Sequence, residues 1–144
     1  MASALHEYVG GCHCGAIAFS YRTALEVRNW SVRACQCNFC RAHCARTTSD
    51  PGGTITFSVC EPELLTRYRF GQGVTDFLIC SRCGVYVGAT IATDTGTYGI
   101  VNLNALKSVP AGIPVPEPMH YDGESKQERL SRREQRWSRA VFVT

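Results

Sequence analysis

The sequence predicts a mainly-β single domain held together by metal. Three observations carry this. Short segments alternate apolar and polar residues with period two, turn residues separate those segments, and seven of nine cysteines fall in three tight groups. At 144 residues the chain has room for one domain, 1–144, and a domain of this size buries about two-thirds of the surface its unfolded chain exposes. The hydrophobic fraction of 44% and charged fraction of 19% exclude a disordered or fibrous chain.

Taken in order, Ala16 to Tyr21 places Ile17, Phe19 and Tyr21 on one face of a strand. Asn38 to Arg46 is the one place before residue 120 that reads as a helical turn, directly over a cysteine group. The run Asp50-Pro51-Gly52-Gly53 is a turn signal, and after it Ile55, Phe57 and Val59 alternate with Thr54, Thr56 and Ser58. Leu64 to Phe70 puts Leu64, Tyr68 and Phe70 together, and Gly71-Gln72-Gly73 turns the chain again. Phe77 to Ile79 and Val85 to Ile91 are short apolar runs. Four prolines between Pro110 and Pro118 rule out regular structure and predict an extended surface segment. After Gly123, Leu130, Trp137, Val141 and Phe142 fit an apolar stripe on a basic helix, while Ala140 to Thr144 fits a terminal strand equally well. The core is therefore expected over about residues 8–122, with a basic tail at 123–144.

The net charge of +3 points to no particular partner. Its excess is local, in Lys126, Arg129, Arg132, Arg133, Arg136 and Arg139, but Glu124, Glu128 and Glu134 interleave with these. That pattern reads as a solvated face rather than a nucleic-acid surface. Residues 1–8 lack the basic start and apolar run of a secretory signal, and no stretch approaches the roughly 18 apolar residues of a membrane span. A cytoplasmic, reducing location is expected, where an odd number of clustered cysteines signifies metal ligands or catalysis rather than disulfides.

Cys12 and Cys14 stand in Gly10-Gly11-Cys12-His13-Cys14-Gly15, and Cys80 and Cys83 in Cys80-Ser81-Arg82-Cys83-Gly84. Each group offers two thiolates on a tight turn, and together they make a tetrahedral, coordinatively full zinc site with a structural task. Cys35, Cys37 and Cys40 offer three thiolates within six residues. Three protein ligands and one open position is the usual form of a catalytic zinc site, and a second closed structural site is the plain alternative. Three thiolates weaken the ion as a Lewis acid for water but suit it to receive a fourth thiolate from outside. The spacings are not those of iron–sulfur ligation.

The three runs resemble the glutathione-dependent formaldehyde-activating enzymes, the group that includes centromere protein V; Val101-Asn102-Leu103 and Pro118-Met119-His120-Tyr121 are weaker similarities. The resemblance implies a β-tent zinc fold of small antiparallel sheets. It implies a structural zinc on Cys12, Cys14, Cys80 and Cys83 and a second zinc on Cys35, Cys37 and Cys40. Its activity is the condensation of formaldehyde with glutathione to S-hydroxymethylglutathione. The partners expected are thus a glutathione-like thiol and an aldehyde, and the enzyme class is carbon–sulfur lyase. The rival is a non-catalytic, zinc-stabilised binding module.

Two departures stand out, Cys44 four residues after Cys40, and Val85 where a hydroxyl residue is common. Cys44 would close the second site if it were a ligand; otherwise it is a buried small hydrophobe or a reactive thiol. Cys60 reads as core. His13 should point away from the metal. His43, beside the trio, is the candidate proton carrier at the catalytic centre, with a surface histidine as the alternative, and His120 is a further candidate to face it.

Overall fold

A computed structural model of the chain describes residues 4–144. The alternating segment forms β5, Thr54–Val59, with Ile55, Phe57 and Val59 buried. In a strand successive side chains point to opposite faces, so this alternation selects the core face. β2, Ile17–Thr23, does the same with Ile17, Phe19 and Tyr21, and pairs antiparallel with β5 so that Phe19 stands opposite Phe57 and Tyr21 opposite Ile55. β1, His6–Gly11, covers the other edge of β2. The same parity places Cys60, one residue past β5, on the exposed side, which corrects its expected place in the core.

The remaining strands meet around β9, Gly96–Asn102. Along one edge β9 pairs with β8, Tyr86–Thr93, which continues to β7, Asp76–Cys80, and β6, Leu65–Tyr68. Along the other edge Tyr98 and Gly99 pair with β11, Ser138–Val143, and Val101 and Asn102 with the two-residue β4, Thr47–Thr48. β4 leads through β3, Arg33–Cys35, to β10, Glu117–Met119. Among the described residues all eleven strands belong to one hydrogen-bonded sheet, which is not closed into a barrel, so the mainly-β expectation holds. Two pairings are parallel, β11 with β5 and β10 with β3. A parallel pair needs a long crossover, and local alternation carries no trace of it.

Among the described residues two α-helices complete the fold, α1 at Asn38–Ala42 and α2 at Lys126–Arg136. α2 opens with a reciprocal cap: Glu128 N donates to Ser125 Oγ and Ser125 N to Glu128 Oε1, both at 3.1 Å. The tail realises both readings in succession, a helix and then a strand, and β11 lies inside the sheet between β5 and β9. Its Ala140 is buried, as are Trp137 and Arg133 before it.

The core has two lobes. One surrounds Tyr21, Trp30, Ile55, Phe57, Leu78 and Val87; the other surrounds Cys40, Phe77, Tyr86, Ile91 and Trp137. Each such side chain contributes about 1.5–3 kcal/mol by leaving water. No helix among the described residues is long and apolar enough to cross a membrane.

Candidate metal centres

Two groups of thiols converge, and they are the groups the spacing selects: Cys12, Cys14, Cys80 and Cys83, and separately Cys35, Cys37 and Cys40, with the sulfurs of each group within 4.8 Å of one another. All nine cysteines are free thiols.

The four-thiol group joins two hairpins. Cys12 and Cys14 lie on the turn between β1 and β2, Cys80 ends β7, and Cys83 lies on the turn to β8. Each turn relies on a glycine with left-handed backbone, Gly15 at φ 87° and Gly84 at φ 80°. Their amides donate back to the carbonyls of Cys12, at 3.3 Å, and Cys80, at 2.8 Å. The Sγ separations are 3.8 Å for Cys12 to Cys14 and 3.6 Å for Cys14 to Cys80. Zinc–sulfur bonds of about 2.3 Å at tetrahedral angles put sulfurs about 3.8 Å apart, so the residues fit such an ion. Ile17 N donates to Cys12 Sγ at 3.2 Å and Cys83 N to Cys80 Sγ at 3.5 Å, the amide–sulfur contacts that steady thiolate charge. Burial pushes the Cys12 thiol up to about 11. At Cys83 burial opposes ionisation, yet amide donors and the Cys80 and Cys12 thiols hold it down at about 6.

The trio sits where β3 runs into α1. Cys35 ends β3, Cys37 caps α1 with its Sγ accepting from Cys40 N at 3.4 Å, and Cys40 is buried on the helix. Contact with the Cys40 thiol holds Cys35 down at about 5, and the same contact, with burial, pushes Cys40 far up. Three thiols this close can all ionise only when a cation balances them, which is the electrostatic condition of a metal site. Both donor sets are compatible with zinc.

The trio differs from the four-thiol group in what it faces. Cys35 and Cys37 line a cleft of about 740 Å³, and none of Cys12, Cys14, Cys80 and Cys83 does. The cleft has an aromatic wall built on Phe39, the residue between two of the thiols of the trio; its ring centroid lies 4.7 Å from Phe77, 5.5 Å from Phe70 and 5.8 Å from Tyr68. Tyr68 and Phe70 are 46% and 37% exposed, so they wall the cleft rather than cover a sheet face. Arg129 and Arg133 line it too, which corrects the solvated-face reading of the basic segment, since Arg133 is buried. The sequence cue was present, an aromatic inside Cys37-Asn38-Phe39-Cys40, but the arginines gave none. The Tyr86 hydroxyl is buried with no hydrogen-bond partner among the described residues. Burial first, and then the Cys40, Cys35 and Cys37 charges, raise its pKa well above the usual phenol value.

The other candidates separate. The His43 ring packs on Phe39 at 4.7 Å and Tyr86 at 5.4 Å and does not line the cleft. Cys44 is exposed, holds the left-handed φ of 49° just past α1, and lies outside the thiol group, so it does not close the trio. His13 and His120 are exposed, and neither lines the cleft.

No known family profile matches the chain. The chain is similar to a Rhodobacter sphaeroides protein whose crystal structure was solved as a structural-genomics target. The match covers 72% of this chain and 91% of that one, with 29% identity and a TM-score of 0.52.

Proposed function

We propose that this protein is a zinc-dependent carbon–sulfur lyase-type enzyme of the glutathione-dependent formaldehyde-activating kind, acting on a thiol–aldehyde adduct such as S-hydroxymethylglutathione. The observation that carries the reading is the asymmetry of the clusters. Four thiols at tetrahedral spacing make one, whereas the other has three, two of them facing a cleft large enough for a peptide-sized thiol. Zinc bound there would supply the positive charge that keeps an incoming thiol ionised near neutral pH.

In the synthetic direction the substrate sulfur forms a bond to the aldehyde carbon, the carbonyl π pair moves to oxygen, and that oxygen takes the proton the thiol gave up. Cleavage runs the same steps backwards, with no redox change. The chain's residues divide the work. Cys35, Cys37 and Cys40 hold the reacting centre at the cleft wall. The ring cluster around Phe39 excludes water from one side, which strengthens charge interactions inside the cleft. Arg133, which meets no carboxylate among the described residues, sets a positive potential there, suited to an anionic thiol, while Arg129 is paired with Glu124. His43 lies against Phe39 and Tyr86, off the cleft lining, and is assigned no step.

Exchange NMR of formaldehyde with glutathione tests this. The zinc-loaded protein should accelerate adduct interconversion, and Cys35→Ser should lose that acceleration while retaining one zinc. If the protein with both sites filled exchanges the adduct no faster than buffer, the non-catalytic binding module is the better reading.

A further inference from the structure

Beside the cleft lies a smaller chamber of about 50 Å³. It shares Cys35, Phe77, Tyr121 and Arg133 with the cleft, and is also lined by Arg33, Arg132 and Trp137. Three guanidinium groups around so small a space demand an inventory of charge. Arg132 is answered: its Nε and Nη2 donate to Glu124 at 2.6 and 2.9 Å, and it lies over the Tyr121 ring at 3.7 Å. Glu124 is spent there and on Arg129.

Arg33 and Arg133 are not answered. Each is 8% exposed, and among the described residues neither meets a carboxylate. Arg33 donates to Ser49 Oγ at 2.6 Å. Arg133 donates to Thr75 Oγ1 and lies 4.6 Å over the Trp137 ring, and its Nε is buried with no partner among the described residues. Asp50, the buried acid next to Ser49, is turned instead to Thr23 Oγ1 and Gly52 N. Of the trio only Cys35 lines the chamber, and no carboxylate lines it among the described residues. Were a divalent ion held by the trio, three thiolates would leave one net negative charge nearby, fewer than the two buried arginines. A buried cation without a partner is costly enough that proteins rarely retain one.

We infer that this chamber is a binding site for one small carboxylate anion, held by Arg33 and Arg133 beside Cys35. A carboxylate matches the planar guanidinium fork, and both guanidinium-bearing residues, Arg33 and Arg133, line the chamber. The volume admits a group of formate size, either as a free acid or as the carboxylate end of a ligand that lies in the cleft. The site goes beyond the thiol–aldehyde reading and stands or falls separately from it.

The test uses the full, zinc-loaded chain in chloride-free buffer at fixed ionic strength, titrated with formate and with its neutral counterpart formamide. The readouts are tryptophan fluorescence, because Trp137 stacks on Arg133, and the thermal midpoint. Formate should give a saturable response in both and formamide none; Arg133→Gln should weaken formate binding at least tenfold. Trp137→Phe should abolish the fluorescence response but keep the thermal one, since the remaining Trp30 lies in the other lobe of the core. Competition by 3-mercaptopropionate but not 2-mercaptoethanol identifies the end of a cleft ligand as the natural occupant, whereas formate binding that neither thiol disturbs identifies a free acid. The absence of saturation by formate, an equal response to formamide, or a fluorescence change that survives Trp137→Phe overturns the site. Should Arg133→Gln fail to fold, the formamide and Trp137→Phe arms still decide.

Discussion

The two centres should differ sharply in what their loss does, and Cys80→Ser against Cys35→Ser exposes the difference. Cys80 is fully buried, and its sulfur meets that of Cys14 across a sequence separation of 66 residues. Releasing that contact reopens a loop whose closure costs about 4 kcal/mol in chain entropy. It also forfeits much of the roughly 10–16 kcal/mol of apparent binding free energy a structural zinc supplies. Against a total stability of about 5–15 kcal/mol, that loss exceeds what the sheet can absorb. A serine there adds a buried hydroxyl in need of a partner, at about 1–3 kcal/mol. Cys35, Cys37 and Cys40 by contrast come from one short segment, and no long loop depends on them. Cys35→Ser should therefore cost only about 1–3 kcal/mol, lowering the melting midpoint by about 2–4 °C per kcal/mol, and give folded protein with one zinc. Circular dichroism and metal analysis of both variants decide. Two equally unfolded variants, or a folded Cys80→Ser, would refute the division into one structural and one labile centre.

Other outcomes follow from single residues. Cys44→Ser should leave the metal content unchanged, because Cys44 is exposed and outside the thiol group; a lost equivalent by atomic absorption contradicts that. Gly84→Ala should destabilise by about 1–2 kcal/mol in a denaturant titration, since a Cβ meets open space there and only the left-handed φ of 80° resists it. Glu124 has its carboxyl held below the usual value of 4.5 by hydrogen bonds from Arg132, against the opposing effect of burial. A depressed carboxylate adds stability above its unfolded pKa and loses it as pH falls through the folded one. Glu124→Gln should accordingly weaken the protein at neutral pH and narrow its gap to wild type below about pH 4, measured as urea midpoints across pH. An unchanged gap across that range counts against the assignment.

The parts of the fold that the sequence disclosed are those where the cause is local. Ile55, Phe57 and Val59 alternate because one face of β5 is buried, and the pattern needs nothing else to be read. The thiol groups were legible for the same reason: two ligands on one turn must sit within a few residues of each other. What remained hidden is set by distant partners. β11 lies parallel to β5 at the end of a long crossover, and its six residues carry no mark of a central place in the sheet. Arg133 looked like one more cation on a basic helix, and only the packing of Trp137 and Thr75 against it makes it a buried wall of the site. Tyr68 and Phe70 read as a strand face because exposed rings that wall a cleft have the same spacing as rings that pack a core.

The central claim is that the trio leaves one coordination position open to a thiol, and zinc X-ray absorption with and without glutathione tests it most directly. Seven thiolates over two ions average 7/2, or 3.5, sulfurs per zinc, with lighter ligands making up the rest. Glutathione should raise the average to four in the wild-type protein and leave it unchanged in Cys35→Ser, where only the closed site remains. An average of four before any thiol is added, or no change on adding glutathione, would contradict the open site.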